Sequence, residues 1–397
     1  MDQGAILAIN AGSSSIKFAL FAGTVLARAC HGQIEGIGAA PRFRAEDGAG
    51  MVLADTTYPP GTTHEALLGG LLDFVTAHQG GVALHAVGHR VVHGGTTFDR
   101  PVLVDAAVLV QLDALSPLAP LHQPHNLAPI RAIAATRPGL AQVACFDTAF
   151  HCTMPAVAAH FALPRALTAA GIRRYGFHGL SYEYLARRLR VLDPARASGR
   201  VIAAHLGNGA SLCAMRDGRS VETTMGFTAL DGLMMGTRSG SLDPGVVLHL
   251  IEQLGMSAEK VSELLYHRAG LLGVSGISQD MRVLLASADP AAADAVALFV
   301  YRIVHEAGAL AAGLGGIDGF VFSAGIGEHA APVRASVGAR LGWLGVRLDP
   351  GANARGAGRI SAADSAVAVW VIPTDEEAMI ALHTRETLDG GGPEISV

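Results

Sequence analysis

Apolar and polar positions along this chain follow two rhythms, one of period two and one of helical spacing. Residues 5–20, AILAINAGSSSIKFAL, carry an apolar strand pattern up to Asn10, a turn of small residues over Ala11 to Ser14, and a second strand pattern. Residues 201–216, VIAAHLGNGASLCAMR, repeat that plan with His205, a turn at Gly207 to Gly209, and a strand from Ala210 to Met215. Each pair is followed by a further turn, at Gly23 or Gly218, and another extended piece. Two β-meanders about 196 residues apart predict a duplicated domain, since no short period of about 20–50 residues marks a solenoid.

Around these meanders, short apolar runs at 86–92, 142–146, 319–323 and 367–372 predict strands. Apolar residues at helical spacing predict helices over 64–78, 105–115, 181–190, 245–268, 291–313 and 375–385. The fold class is therefore α/β, with a mixed sheet flanked by helices in each of two similar lobes and a ligand cleft expected between them. The chain crosses from the first lobe to the second between Phe146 and His151, and the Gly-rich tail GGGPEISV is expected to fray.

Composition narrows the function. With 397 residues, 50% apolar and only 16% charged, the chain has ample material for large cores and lacks the signature of disorder. Net charge is −5 and the basic residues form no run, which argues against nucleic-acid and anionic-membrane partners and leaves small molecules. No signal peptide and no apolar stretch of about 18 residues is visible, so the expected location is the cytoplasm. The four cysteines, Cys30, Cys145, Cys152 and Cys213, show no C-x-x-C spacing and read as buried reduced thiols.

The chemistry concentrates at the two meander turns. A turn of small residues leaves backbone N–H groups unobstructed, which makes an anion cradle. Ser13, Ser14 and Ser15 add hydroxyl donors and Lys17, one of only two lysines, adds a charge; Gly207, Asn208 and Gly209 are the second lobe's equivalent. Two ordinary hairpins remain the alternative for either turn alone. Polar clusters flanked by glycine lie at GHRVVHGG around Arg90, FDTAFH around Asp147, YGFHG around His178, GTRSG around Arg238, SGISQDMR around Asp280 and Arg282, and SAGIGEH at 323–329. Gly325-Ile326-Gly327 lacks the third glycine of a dinucleotide fingerprint, and neither lysine sits in a P-loop. Zinc-type His and Cys spacings and the G-x-S-x-G elbow are also missing.

Taken in order, N-A-G-S-S-S-x-K, G-H-R-V-V-H-G-G, A-P-L-H-x-P, F-D-T-A-F-H, Y-G-F-H-G, H-L-G-N-G-A-S, M-G-T-R-S-G, S-G-I-S-x-D, A-G-I-G-E and P-T-D-E-E resemble the acetate kinase family across nearly the whole chain. The resemblance implies two duplicated ribonuclease H-like lobes of the actin-like ATPase fold. It places the first lobe at 1–149 plus 384–397 and the second, nucleotide-binding lobe at 150–383. It implies reversible transfer of the γ-phosphoryl group of ATP to acetate, with propionate or butyrate as the alternative acceptor, and a homodimer. Asn10 and Glu376 become residues of a magnesium or manganese site. Lys17, Ser13 and Ser15 become phosphate contacts, and His205, Leu206, Gly207, Asn208 and Gly209 the second phosphate loop. Asp280, Met281, Arg282, Gly325, Ile326, Gly327, Glu328 and His329 would line the nucleotide pocket. Arg90 is then the substrate-carboxylate arginine, Asp147, His178 and Arg238 the catalytic residues, and Val92, Leu121 and Phe177 the walls for the acyl group.

Chemistry modifies one of those roles. A carboxylic acid with a pKa of about 4–5 is already ionised at neutral pH, so Asp147 has no proton to take from acetate and is expected to orient Arg90 or a metal-bound water. Five departures from the family pattern stand out. Ala229 replaces a proline before M-G-T-R, Gln123 an asparagine in A-P-L-H-x-P, Leu180 and Tyr182 a threonine and a histidine after F-H-G, and Ser241 an aspartate after R-S-G. A smaller wall at Ala229 would admit one further CH₂, at about 0.8 kcal/mol, which is too little to exclude acetate.

Overall fold

The computed structural model describes residues 4–12, 14–78 and 82–390. It divides into two units, with chain crossings at Ala149/Phe150 and Thr374/Asp375. The return to the first unit thus falls at Asp375 rather than at residue 384, so the whole last helix belongs to the first unit.

In the first unit, β1 (Ala5–Ala11), β2 (Ser15–Ala22), β3 (Ala27–Glu35), β4 (Arg42–Asp47), β5 (Val52–Thr57), β6 (Leu84–Val91), β7 (Val102–Leu103) and β8 (Ala141–Phe146) form one mixed sheet in the order β5-β4-β3-β2-β1-β6-β8-β7. β1 pairs antiparallel with β2, setting Asn10 opposite Lys17, and parallel with β6. One face of the sheet packs Ile9, Phe18 and Ile34 against Leu67, Leu71 and Val75 of the helix His64–His78 and Ile133 of the helix Gln123–Thr136. The helix Glu376–Leu388 covers β1, β6 and β8. Its approach depends on Gly88, where an added Cβ would lie 2.1 Å from Thr384 Oγ1 and 2.6 Å from Ile380 Cγ2. That close seating carries Glu376 to the ends of β1 and β6.

The second unit repeats the plan. β9 (Arg200–Leu206), β10 (Ala210–Arg216), β11 (Arg219–Thr223), β12 (Gly319–Ser323), β13 (Gly358–Arg359) and β14 (Ala368–Val371) are ordered β11-β10-β9-β12-β14-β13. A three-stranded antiparallel meander followed by two parallel strands is common to both sheets, as the duplication predicts. The helix Gly179–Leu192 packs Tyr182, Leu185 and Leu189 against Val201, Ala203 and Val321. The helix Pro290–Leu314 lies against β9 and β10 and buries Phe299, Val300, Ile303 and Ala307 along one face. By length and composition this helix could cross a bilayer, contrary to the sequence expectation. Its burial along one face and its paired Arg302 and Glu306 are those of a core helix.

Two other expectations are corrected. The helix expected over 245–268 is two helices, Pro244–Glu252 and Ala258–His267. Gly255 adopts φ +66° between them, and the Ser257 side chain caps the second by accepting from Lys260 N–H. Cys30, Cys145 and Cys213 are buried free thiols, but Cys152 is exposed, because the short 3₁₀ turn Ala149–Thr153 spends its inward position on His151.

Buried histidines in both units make stability sensitive to mild acid. His89 and His151 are buried, and burial pushes each pKa down to about 4; Gln142 bonds the first, and the Phe177 carbonyl and Ser220 the second. Their unfolded value is near 6.5, so the unfolded chain binds protons first and the stability present above about pH 6.5 is lost as pH falls toward 4. His151→Gln is expected to remove about 2 kcal/mol of the change in unfolding free energy between about pH 7 and pH 5, measured by denaturant titration.

Candidate active site

The first unit assembles its polar residues at the ends of β1, β6 and β8. Arg90, near the end of β6, donates to Asp147 through Nε at 2.9 Å and 3.2 Å and through Nη2 at 2.6 Å, a two-pronged pairing that occupies both carboxylate oxygens. Its Nη1 donates to Asn10 Oδ1 at 3.1 Å, and Asn10 Nδ2 donates to Glu376 Oε2 at 3.3 Å. Glu376 Oε2 also lies 3.8 Å from Arg90 Nε. Asp147 is 1% exposed at its side chain against 20% for Arg90, so the aspartate forms the buried back of the arginine, whose remaining face is open. Burial works against the Arg90 charge, but Asp147 and then Glu376 outweigh it and raise the pKa above its ordinary value. Burial pushes Glu376 up to about 7 against the pull of Arg90, and the negative Asp147 and Glu377 add to the rise.

Asn126, which sequence reasoning did not single out, ties the site together. Its Nδ2 donates to the Ala11 carbonyl at 2.6 Å and its Oδ1 accepts from Val92 N–H, joining the β1 turn to the end of β6. Gln123 is buried and bonds His93 N–H and the carbonyls of His93 and Leu112, so its extra methylene relative to asparagine serves an internal clamp. Val92 is buried, whereas Leu121 is 39% exposed. Ser15 accepts, through its carbonyl, the N–H of Gly12. Ser13 lies outside the described residues. Lys17 is exposed and borders a cavity of about 420 Å³ that also meets Arg28, His31, Arg44, Glu46 and Glu377.

In the second unit, the turn between β9 and β10 is closed by Gly207 N–H donating to the Gly209 carbonyl at 3.0 Å. Gly236 N–H donates to the Asn208 carbonyl, which seats the 236–238 segment on the turn. Arg238 Nη1 donates to the Ala229 carbonyl at 2.6 Å. A Cβ added at Gly209 would lie 2.9 Å from Arg238 Nη2 and 3.3 Å from His178 Nε2, so both side chains end over this glycine. His178 has φ +60°, a left-handed conformation uncommon for a non-glycine residue, at the start of the helix Gly179–Leu192. Its ring stacks on His205 with centroids 4.1 Å apart. Phe177 and Leu206 are buried, so Leu206 offers only its main chain to the turn.

Beside that turn lies a cavity of about 460 Å³ lined by Gly207, Asn208, Asp280, Met281, Arg282, Gly325, Ile326 and His329, among others. Sequence reasoning had grouped these segments. Gly327 and Glu328 are not on its wall: Gly327 is buried, and the Glu328 carboxylate accepts from Thr374 N–H at 3.4 Å. Asp280 caps the helix Met281–Ala286, accepting from Arg282 N–H at 2.8 Å. Arg334, almost fully buried, holds the carbonyls of Gly327 and Glu328 and both oxygens of Asn353, which secures the end of the helix Ala324–His329. A lone arginine in R-A-S gives no such signal in the sequence.

The acetokinase family profile matches residues 5–382. The chain is 57% identical over 393 residues to the acetate kinase of Rhodopseudomonas palustris, covering 97% of this chain and 99% of that protein. It is 54% identical to the acetate kinase of Rhizobium meliloti, covering 96% and 97%. Among solved structures, a propionate kinase from Francisella tularensis superposes with a TM-score of 0.91 at 36% identity, and the Porphyromonas gingivalis acetate kinase with 0.87 at 36%. Each covers 97% of this chain and 100% of its own.

Proposed function

The chain belongs to the acetokinase family and is a phosphotransferase that makes acetyl phosphate and ADP reversibly from acetate and ATP, and from this premise we propose how its residues divide the work. The reading rests on one observation, that Arg238 Nη2 and His178 Nε2 both end over the glycine turn beside the 460 Å³ cavity. A transferring phosphoryl group spreads negative charge over its oxygens, and fixed donors aimed at it do most of the catalytic work.

In this reading Asp280, Met281, Arg282, Gly325, Ile326 and His329 hold the nucleotide, and main-chain groups of residues 205–209 meet its phosphates. Arg238 and His178 stabilise the transferring group. Lys17 and Ser15 contribute phosphate contacts from the first unit. Arg90 binds the acceptor carboxylate, with Asp147 as its orienting partner: three hydrogen bonds already fill both Asp147 oxygens, and the acceptor arrives ionised. Val92, Leu121 and Phe177 are assigned to the acyl group.

Asn10 and Glu376 fit a divalent cation of the magnesium type. Both carry hard oxygen donors, although Asn10 Oδ1 accepts from Arg90 Nη1 and would be shared with the ion, and a buried carboxyl held up at about 7 gains from a cation in place of a proton. When bound, such an ion supplies charge neutralisation on the phosphate oxygens.

A homodimer in the cytoplasm completes the reading. The helix Pro244–Glu252 has no buried residue yet carries Val246, Leu248 and Ile251, with Leu242 and Leu254 at its flanks, an apolar surface suited to a second copy. Sedimentation at the monomer mass across micromolar concentrations would remove this part.

Trapping the product with hydroxylamine, with ATP and a panel of acetate, propionate and butyrate, tests the activity. The expected result is acyl hydroxamate with kcat/KM highest for acetate; none with any acid overturns the reading. Gly209→Ala gives a second test. The added methyl meets only the ends of two side chains, which can swing aside, so the fold persists while Arg238 and His178 are displaced. kcat is expected to fall about 100-fold with an unchanged melting temperature.

A further inference from the structure

A chain of hydroxyls stands behind the His178 ring. Its Nδ1 is 2.8 Å from Ser211 Oγ, and Ser211 Oγ is 2.5 Å from the Tyr182 hydroxyl. Ser211 and Tyr182 are fully buried. Tyr182 lies four residues after His178, one helical turn along the same face, and replaces the histidine that the family resemblance leads one to expect.

Proton counting gives the chain a direction. Serine and tyrosine hydroxyls carry one proton each. Burial raises the Tyr182 pKa well above its ordinary value, so the phenol keeps its proton, and the neighbour that can take it is Ser211 Oγ. Ser211 then has its own proton for His178 Nδ1, which must be the bare nitrogen. The opposite order would turn the phenol proton away from Ser211, the acceptor 2.5 Å away, in a site without exposure.

We propose that Ser211 and Tyr182 are positioning residues that hold His178 as its neutral Nε2–H tautomer, presenting an N–H donor over the 207–209 turn. A parallel relay supports the same state for the stacked partner: Thr374 Oγ1 donates to Ser181 Oγ at 2.9 Å, and Ser181 Oγ is 2.9 Å from His205 Nδ1. Titratable and charged groups beside His178 include Tyr182 on its own helix, His205 on β9 and Arg238 on the 236–238 segment. His178 thus donates a hydrogen bond without exchanging a proton during turnover, in keeping with a reaction whose nucleophile is already ionised.

The inference rests on the role proposed above for His178, and the test separates the two. Nitrogen-15 NMR of histidine-labelled, ligand-free full-length enzyme at pH 7.5 is expected to show His178 protonated at Nε2 and bare at Nδ1. Tyr182→Phe keeps the ring packing and removes the donor to Ser211. Ser211→Ala removes the link itself. In both, the Nδ1–H form is expected to appear and kcat to fall about 10- to 100-fold, with KM values for ATP and acetate within about twofold. A parent His178 protonated at Nδ1, or variants that keep the parent spectrum and kcat, overturns the proposal. A shifted tautomer with unchanged kcat leaves the relay standing and overturns the catalytic role assigned to His178.

Discussion

Replacing Arg238 by alanine is expected to lower kcat by about 10³-fold or more and to leave nucleotide affinity within a few-fold. The reaction brings an acceptor carboxylate up to a polyanionic phosphate. At about 4 Å each pair of unit charges costs roughly 1 kcal/mol in water and about 4 kcal/mol at an effective dielectric constant of 20. A guanidinium over the phosphate turn cancels much of that cost where charge develops. Arg238 is fixed at both ends of its guanidinium: Nη1 is anchored on the Ala229 carbonyl and Nη2 ends over Gly209. The cavity assigned to the nucleotide is walled by other segments, so binding survives the loss. Arg238→Lys is expected to recover little, because a single ammonium cannot bond Ala229 and reach over Gly209 together. Steady-state kinetics paired with calorimetric nucleotide binding checks both halves. A variant with near-parental kcat would remove Arg238 from the mechanism.

The second large effect couples stability to activity. Arg90→Ala is expected to abolish measurable turnover of acetate and also to destabilise the first unit by about 3–5 kcal/mol, because Asp147 is left as a buried carboxylate without its cation. Arg90→Met combined with Asp147→Leu replaces the pair by apolar groups. It is expected to recover most of that stability and none of the activity. Unfolding free energies and hydroxamate assays on the two variants separate a structural arginine from a functional one. If the double variant turned over acetate, Arg90 would be a structural residue alone.

Much of this architecture was legible before any coordinates. The helix read over 64–78 spans His64–His78, and the strand read over 319–323 spans Gly319–Ser323, because a period of apolar residues reports which face of an element is buried. The duplicated meanders were equally plain. Misreadings came where local pattern and context part. Residues 245–268 keep helical spacing through Gly255, whose positive φ ends one helix before Ser257 begins another. Cys152 has Phe150 and Met154 two residues to either side, but a 3₁₀ turn faces it outward. Glu328 belongs to a glycine-rich block by sequence, yet its carboxylate reaches Thr374.

The order of residue types along the chain was enough to determine two sheets of one plan and a family, because both are written in spacing and in the order of motifs. The partners of individual side chains were decided only by tertiary structure. Asp147 behind Arg90, Asn126 bridging Ala11 and Val92, and Tyr182 speaking to His178 through Ser211 each join residues that no periodicity relates. A hydrogen bond has a reach of about 3 Å and a preferred direction, and the distance between two side chains is set by how strands and helices pack rather than by how far apart their residues lie in the chain.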